Sequence, residues 1–220
     1  MKKINAFIYL LVAAALMFTF SQCNGGDNTS TAQVTQKNLV LFGPPGAGKS
    51  TQAGFIVDHY GLEKLESGAI FRQNISDETP LGLRVQQFVN AGELVPDSLV
   101  NRIILGELSD DRYRNGFVID GFPRTIPQAE ALQTFLTIRR MDLDAVVHLE
   151  VPEEELQRRI LGRDDDRDDD DLETFRARME TYRNETKPLL DFYEERDLLI
   201  TVDGTGTPEE VSQRILRALQ

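Results

Sequence analysis

Gly43-Pro-Pro-Gly-Ala-Gly-Lys-Ser-Thr51 is the stretch of sequence that decides the fold. It fits the pattern G-x-x-x-x-G-K-[ST], in which glycines let backbone N–H groups turn inward and hold phosphate oxygens. The apolar run Asn38–Phe42 precedes it and predicts a buried strand, and Ser50–Tyr60 predicts a helix that starts at the loop. Strand, glycine-rich loop and helix together predict a site for a nucleoside triphosphate.

The chemistry of this loop assigns roles to its residues. Lys49 is expected to reach the outer phosphates, and Ser50 to face a phosphate-bound Mg²⁺. No Asn-Lys-x-Asp motif for guanine occurs in the sequence, which counts against a GTPase. The predicted triphosphate-binding residues are Gly43, Pro44, Pro45, Gly46, Ala47, Gly48, Lys49, Ser50 and Thr51.

Further short apolar runs predict the remaining strands of a parallel sheet. They alternate with helix-compatible segments, which is typical of an α/β chain whose sheet is covered by helices on both faces. The runs are Phe117–Asp120, Ala145–Leu149, Leu198–Val202 and, more weakly, Leu62–Glu66. The last helix has its start signal at Thr207, with Pro208 and Glu210 completing a capping box.

Two regions read as insertions between these elements. Residues 67–97 contain two helical stretches, interrupted at Pro80-Leu-Gly82, with no strand signal between them, and so predict a small helical subdomain. Residues 162–171 include seven aspartates among the eight positions 164–171, which predicts a solvated, self-repelling loop.

Composition excludes several classes of protein. The 220 residues carry a formal charge of −12, which argues against holding nucleic acid or anionic lipid through the general field of the protein. The single cysteine excludes an internal disulfide, and one cysteine with two histidines cannot supply the usual ligands of a zinc site.

The first 37 residues differ from the rest. Lys2 and Lys3, the apolar run Ile4–Phe20 and a polar stretch follow one another in the order of a bacterial secretory signal peptide. Cys23 lies just after the apolar run. This arrangement resembles the processing site of bacterial lipoproteins, where the cysteine is lipidated. We expect a signal segment at 1–23, a flexible tether at 24–37 and a membrane-anchored or periplasmic protein. The alternatives are an uncleaved anchor with the domain in the cytoplasm, or cleavage without a lipid.

Asp120-Gly-Phe-Pro-Arg-Thr-Ile-Pro-Gln128 identifies the kind of phosphate-binding protein. Here the chain resembles the adenylate kinases, and the resemblance extends from about Asn38 to Gln220. The other matching pieces are Ser67-Gly68-x-x-x-Arg72, Gly92–Asp97, Gly162-Arg163, Arg167-x-Asp169-Asp170, Arg178 and Thr186-x-Pro188-Leu with Tyr193.

The resemblance implies a fold and a reaction. The fold is a three-layer P-loop NTPase domain at 38–220 with a five-stranded parallel sheet, an AMP-binding insertion at 67–97 and a short lid at 162–171. The reaction is ATP + AMP = 2 ADP with Mg²⁺, carried out by a monomer. Arg163 and Arg167 are only four residues apart, which indicates the short-lid type without zinc.

The resemblance also implies roles for individual residues. Ser50 and Asp120 would position Mg²⁺, Asp120 through water. Those implied to be catalytic are Lys49, Arg124, Arg163, Arg167 and Arg178, of which Arg163 flanks ATP and Arg167 and Arg178 lean over the transferring phosphoryl group. Those implied to bind AMP are Ser67, Arg72, Glu93, Leu94, Val95, Gly121, Arg124, Gln128, Arg167 and Arg178. Among them, Arg72 and Arg124 would clamp its phosphate, and Ser67 and Gln128 would contact its adenine.

Two other functions stay open at this point. A UMP or CMP kinase of the same fold is the nearest rival, although Thr125 and Gln128 favour adenine. The other is a non-catalytic exported protein that binds nucleotide without converting it. One departure from the family is Ala69, which stands where relatives often have Asp, and it leaves the hydrogen bonding of the AMP region open.

Overall fold

The structure is a computed structural model, and it describes residues 36–162 and 172–220. The predicted signal segment with Cys23, nearly all of the tether, and the lid residues Arg163 and Arg167 lie outside the described residues. In the described part of the chain, no helix is both long enough and apolar enough to span a bilayer.

Five parallel strands form the centre of the domain, in the order β2-β3-β1-β4-β5. Their bounds agree with the predicted runs to within one residue, which confirms the parallel sheet. The chain leaves β1 toward one edge of the sheet and later crosses to the other, so a crevice opens at the carboxyl end of β1. The strands are β1 Asn38–Phe42, β2 Glu63–Glu66, β3 Phe117–Asp120, β4 Ala145–Glu150 and β5 Leu199–Asp203.

Helices cover both faces of this sheet. They are α1 Lys49–Tyr60, α2 Ser67–Ser76, α3 Pro80–Ala91, α4 Asp97–Glu107, α5 Ile126–Arg139, α6 Glu153–Leu161, α7 Leu172–Thr181, α8 Leu189–Glu194 and α9 Pro208–Ala218. A short 3₁₀ helix spans Asp111–Asn115 and a π-helical turn spans Tyr182–Thr186.

Alternation along β1 divides the apolar core in two. Val40 and Phe42 pack with buried residues of α4, α5 and α8, whereas Leu39 and Leu41 pack with those of α1, α6, α7 and α9. Successive side chains of a strand point to opposite faces, so a strand buried on both faces is apolar throughout. The three-layer α/β architecture is therefore confirmed.

The start of α9 follows the predicted capping box. Thr207 Oγ1 accepts from the Glu210 backbone N–H at 3.3 Å, and the Glu210 carboxylate accepts from the Thr207 N–H at 2.9 Å. Two of the N–H groups left unpaired at a helix start are thereby satisfied.

The interruption between the two helices of region 67–97 lies earlier than predicted. Pro80 begins α3 instead of breaking it, because a proline at the first helical position lacks only an N–H that would be unpaired anyway. Thr79 caps the helix by accepting from the Gly82 N–H at 3.0 Å. A Cβ at Gly82 would lie 2.0 Å from the Asn74 carbonyl oxygen, so α2 and α3 meet there backbone against backbone.

Candidate active site

A cavity of about 610 Å³ opens at the carboxyl ends of β1 and β3. The phosphate-binding loop, α2, the segment between α3 and α4, and the start of α5 form its walls. Most of the predicted site residues line it, namely Gly43, Pro45, Gly46, Gly48, Lys49, Ser50, Thr51, Arg72, Glu93, Leu94, Val95, Asp120, Gly121, Arg124, Gln128 and Arg178.

Three described residues of the predicted site do not line the cavity. Pro44 and Ala47 are buried in the loop itself. Ser67, predicted to contact adenine, is 1% exposed, and its hydroxyl has no hydrogen-bond partner among the described residues. Its role in binding the base stays a prediction.

Lys49 lies over the phosphate-binding loop. Its ammonium group donates to the carbonyl oxygens of Gly43 at 2.9 Å and Pro44 at 3.0 Å. Gly46 and Gly48 have positive φ angles of 82° and 91°, which side chains other than glycine rarely adopt. The loop thus places a cation and the N-terminus of α1 at one end of the cavity, where phosphate oxygens are favoured.

Glu66 is a functional candidate that the sequence did not reveal. Its carboxylate accepts from Ser50 Oγ at 2.6 Å and from Arg72 Nη2 at 2.9 Å, and it pairs with Lys64 at 2.8 Å. Burial would raise the pKa of Glu66, but the hydrogen bonds from Lys64 and Ser50 and the charges of Lys64 and Arg72 lower it to about 2. Glu66 therefore links the loop to the arginine predicted to hold AMP.

Asp120 ends β3 directly opposite Glu66 in the register of β2 and β3. It is 6% exposed, and burial raises its pKa while the charge of Lys49 acts in the opposite direction. No group of three or more acidic, histidine or cysteine side chains within residues 36–162 and 172–220 could form a complete metal cage. Mg²⁺ commonly takes one or two carboxylates, waters and substrate phosphates, and Ser50 with Asp120 fits that arrangement.

Another part of the cavity wall carries a hydrogen-bonded network around Gln128. The Gln128 amide oxygen accepts from the Arg124 backbone N–H at 2.7 Å, and its amide nitrogen donates to Asp97 Oδ1 at 2.7 Å. Thr125 Oγ1 donates to Asp97 Oδ2 at 3.0 Å. The exposed side chain of Arg124 donates through Nε to the Gly121 carbonyl at 2.8 Å.

Arg178 and Tyr182 are among the polar side chains that line the cavity from α7 and the π-helical turn. Arg178 of α7 packs against Gly92, so it reaches the segment predicted to bind AMP. Tyr182 lies 3.4 Å from His148 Nε2, and burial raises the pKa of Tyr182 to about 12. Burial also lowers the pKa of His148, which is 8% exposed, and so favours its neutral form.

Comparison with known proteins agrees with this geometry. The sequence model of the family described as adenylate kinase matches residues 41–198. The adenylate kinase of Leptospira biflexa serovar Patoc is 43% identical over 185 residues, which cover 83% of this chain and 100% of the relative. That of Nocardia farcinica is 46% identical over 181 residues, covering 82% and 98%, and that of Thermobifida fusca 45% over 184, covering 83% and 97%. The chain belongs to the adenylate kinase family.

Proposed function

We propose that this protein catalyses the reversible transfer of a phosphoryl group from ATP to AMP, which yields two ADP. One observation carries the proposal: a single cavity holds the phosphate-binding loop with Lys49 and also Arg72, Arg124 and Gln128. A protein that only binds and hydrolyses one triphosphate has no need of the second set of residues, which consists of Arg72, Arg124 and Gln128. Its two arginines suit an acceptor phosphate, because guanidinium groups grip phosphate oxygens bidentately and stay charged at any working pH.

The reaction needs no general base. The second pKa of a phosphate monoester is about 6, so AMP arrives mostly as a dianion whose oxygen can attack directly. Catalysis then rests on alignment and on cations that stabilise charge spread over a loose transition state. Lys49 serves the donor phosphates, and Arg72 and Arg124 hold the acceptor phosphate. Arg178 leans over the transferred group.

The resemblance assigns two more arginines to the same step. Arg163 would flank ATP, and Arg167 would join Arg178 at the transferred phosphoryl group. The support for these two assignments is their place in the sequence, four residues apart in the short lid segment.

Mg²⁺ bound to the nucleotide would supply additional positive charge at the phosphates. Ser50 and Asp120 are the residues that would hold it, with water between Asp120 and the ion. Ser50 Oγ donates to Glu66 at 2.6 Å and accepts from the Lys64 ammonium at 3.3 Å, which leaves one lone pair for a cation. Asp120, buried near Lys49, supplies a carboxylate from the neighbouring strand.

A nucleotide screen tests the proposed activity. The full chain in mild detergent is given ATP and Mg²⁺ with AMP, UMP, CMP or GMP, and ADP formation is followed. We expect rapid turnover with AMP, lost in Arg124→Ala and retained in Arg217→Ala, whose arginine lies on α9 away from the cavity. Turnover with UMP or CMP in place of AMP would identify the pyrimidine kinase. Binding without turnover of any acceptor would identify a non-catalytic protein.

We also propose, from the resemblance to the family, that the protein acts as a monomer. We propose further that it is exported and anchored through a lipid on Cys23. The support is the order of basic, apolar and small polar residues in 1–23. Mass spectrometry of the membrane fraction from a bacterial host should find a mature N-terminus at lipidated Cys23, lost in Cys23→Ser. A full-length N-terminus would indicate an uncleaved anchor, and an unmodified thiol in the soluble fraction would indicate cleavage alone.

A further inference from the structure

Asp97 divides its two carboxylate oxygens between Gln128, which lines the cavity, and Thr125. Oδ1 accepts from the Gln128 amide nitrogen at 2.7 Å, and Oδ2 accepts from Thr125 Oγ1 at 3.0 Å. Asp97 is the first residue of α4, while Thr125 caps α5 and Gln128 lies in its first turn. The carboxylate therefore joins the starts of two helices beside the cavity.

These contacts allow only one orientation of the Gln128 amide. An amide can be turned over with little change of shape, which exchanges its oxygen and its nitrogen. Here the Arg124 backbone N–H must donate to an oxygen, at 2.7 Å, while the Asp97 carboxylate can only accept. If the amide were turned over, its oxygen would face the Asp97 carboxylate, and its NH₂ group would face the Arg124 backbone N–H. Gln128 is 1% exposed, so water offers little to offset either loss.

The hydroxyl of Thr125 is fixed in the same sense. Its oxygen accepts from the Gln128 backbone N–H at 3.3 Å, and so its single proton is free to donate to Asp97. Each of these donors therefore faces an acceptor in the network around Asp97. A network in which each member is satisfied in one direction only is rigid.

The fixed amide presents a defined pattern to a nucleobase. One amide N–H and one oxygen lone pair remain after the contacts to Asp97 and Arg124 are counted. Adenine offers an amino donor beside a ring-nitrogen acceptor and matches that pattern, whereas a 6-oxo purine offers the reverse. A buried polar group that meets the wrong partner is left unpaired, which is the strongest basis for rejecting a close analogue.

We propose that Asp97 is a positioning residue that fixes the Gln128 amide and thereby makes the acceptor site select 6-amino purines over 6-oxo purines. The proposal rests on the function proposed above and deepens it. Asp97 need not touch the substrate, because it acts through Gln128.

The test compares AMP with inosine monophosphate, which differs at the same ring position. We expect the wild-type full chain to prefer AMP strongly by kcat/KM. In Asp97→Asn the new side chain can offer either an oxygen or an NH₂, so only the Arg124 backbone N–H still opposes the turned Gln128 amide. The preference should fall by about tenfold or more, through a higher KM for AMP and a lower KM for inosine monophosphate, with the KM for ATP unchanged. Asp191→Asn, on the exposed face of α8, is the matched control.

A purely structural role for Asp97 predicts a different result. Both acceptors would then lose activity equally, and a preference unchanged within about twofold would overturn the proposal. If Asp97→Asn does not fold, Asp97→Ser decides in its place, since a hydroxyl can either accept from or donate to the Gln128 amide. The preference should again fall, and an unchanged preference overturns the proposal.

Failure of the proposed function is recognised separately. If the wild-type protein turns over neither acceptor, the affinities for AMP and inosine monophosphate are compared by calorimetry in wild type and Asp97→Asn. A loss of selectivity in binding would still support the role of Asp97, and unchanged selectivity would refute it.

Discussion

Replacing Gly82 by alanine should loosen the contact between α2 and α3. The added Cβ would lie 2.0 Å from the Asn74 carbonyl oxygen, 2.4 Å from its carbon and 2.7 Å from the Ile75 nitrogen, whereas ordinary contacts begin at 3.4 Å. All three atoms are backbone, so the helices must separate by more than an ångström. Overpacking of this kind costs about 3 kcal/mol, and the better helix propensity of alanine returns about 1 kcal/mol.

The net loss of about 2 kcal/mol should lower the melting temperature by roughly 4–8 °C. Gly54→Ala is the matched control, because Gly54 also lies inside a helix and a Cβ there meets nothing within 4 Å. That variant should gain about 1 kcal/mol and melt roughly 2–4 °C higher. Thermal unfolding of both variants checks the opposite signs.

A change in kinetics should accompany the change in stability of Gly82→Ala. Phe71 and Arg72 of α2 and Val89 of α3 line the cavity, so separating the helices should raise the KM for AMP. The KM for ATP should change little, since Lys49 and its loop are held by other elements. The reasoning is refuted if Gly82→Ala melts at or above wild type with an unchanged KM for AMP.

Three more outcomes concern Glu66 and the last helix. Glu66→Gln should raise the KM for AMP severalfold in initial-rate assays, because an amide cannot replace the ion pair with Arg72; an unchanged KM would contradict this role. The folded-state pKa of Glu66 is about 2, below its ordinary value of 4.5, so its contribution is full above pH 4.5. The stability difference between wild type and Glu66→Gln in denaturant titrations should therefore shrink as pH falls from 4.5 toward 2, and a constant difference would argue against it. Thr207→Ala should cost about 1 kcal/mol without changing kcat; a variant as stable as wild type would show that the cap contributes nothing.

Features with a local cause could be predicted from the sequence. The strand Phe117–Asp120 is buried on both faces, and a short continuous apolar run is what such a strand requires. The capping box at Thr207 needs only residues three positions apart. The phosphate-binding loop could likewise be predicted from the spacing of its own residues. The cavity lies where β1 is followed by that loop.

Features that depend on the meeting of distant segments could not be predicted. Glu66 ends a short strand whose sequence suggests a solvent-facing side chain, yet α1 and α2 bring Ser50 and Arg72 to it. Asp97 and Gln128 are 31 residues apart and meet only because α4 and α5 start at the same edge. The sequence predicts a break at Pro80-Leu-Gly82, whereas α3 begins at Pro80, because a proline can follow the end of one helix or begin the next.

The ends of the described domain lie together on the side away from the cavity. The Lys37 ammonium donates to the Leu219 carbonyl at 2.9 Å and lies over the Tyr60 ring, just before β1 begins. The five residues of β1 separate this point from the phosphate-binding loop by roughly 16 Å. A bead or sensor surface coupled at Gln36 or Gln220 would therefore attach to the side of the domain that lies away from the cavity. The mouth of the cavity would then face the solution. Nucleotides could then enter an immobilised layer of this protein as freely as they enter the dissolved one.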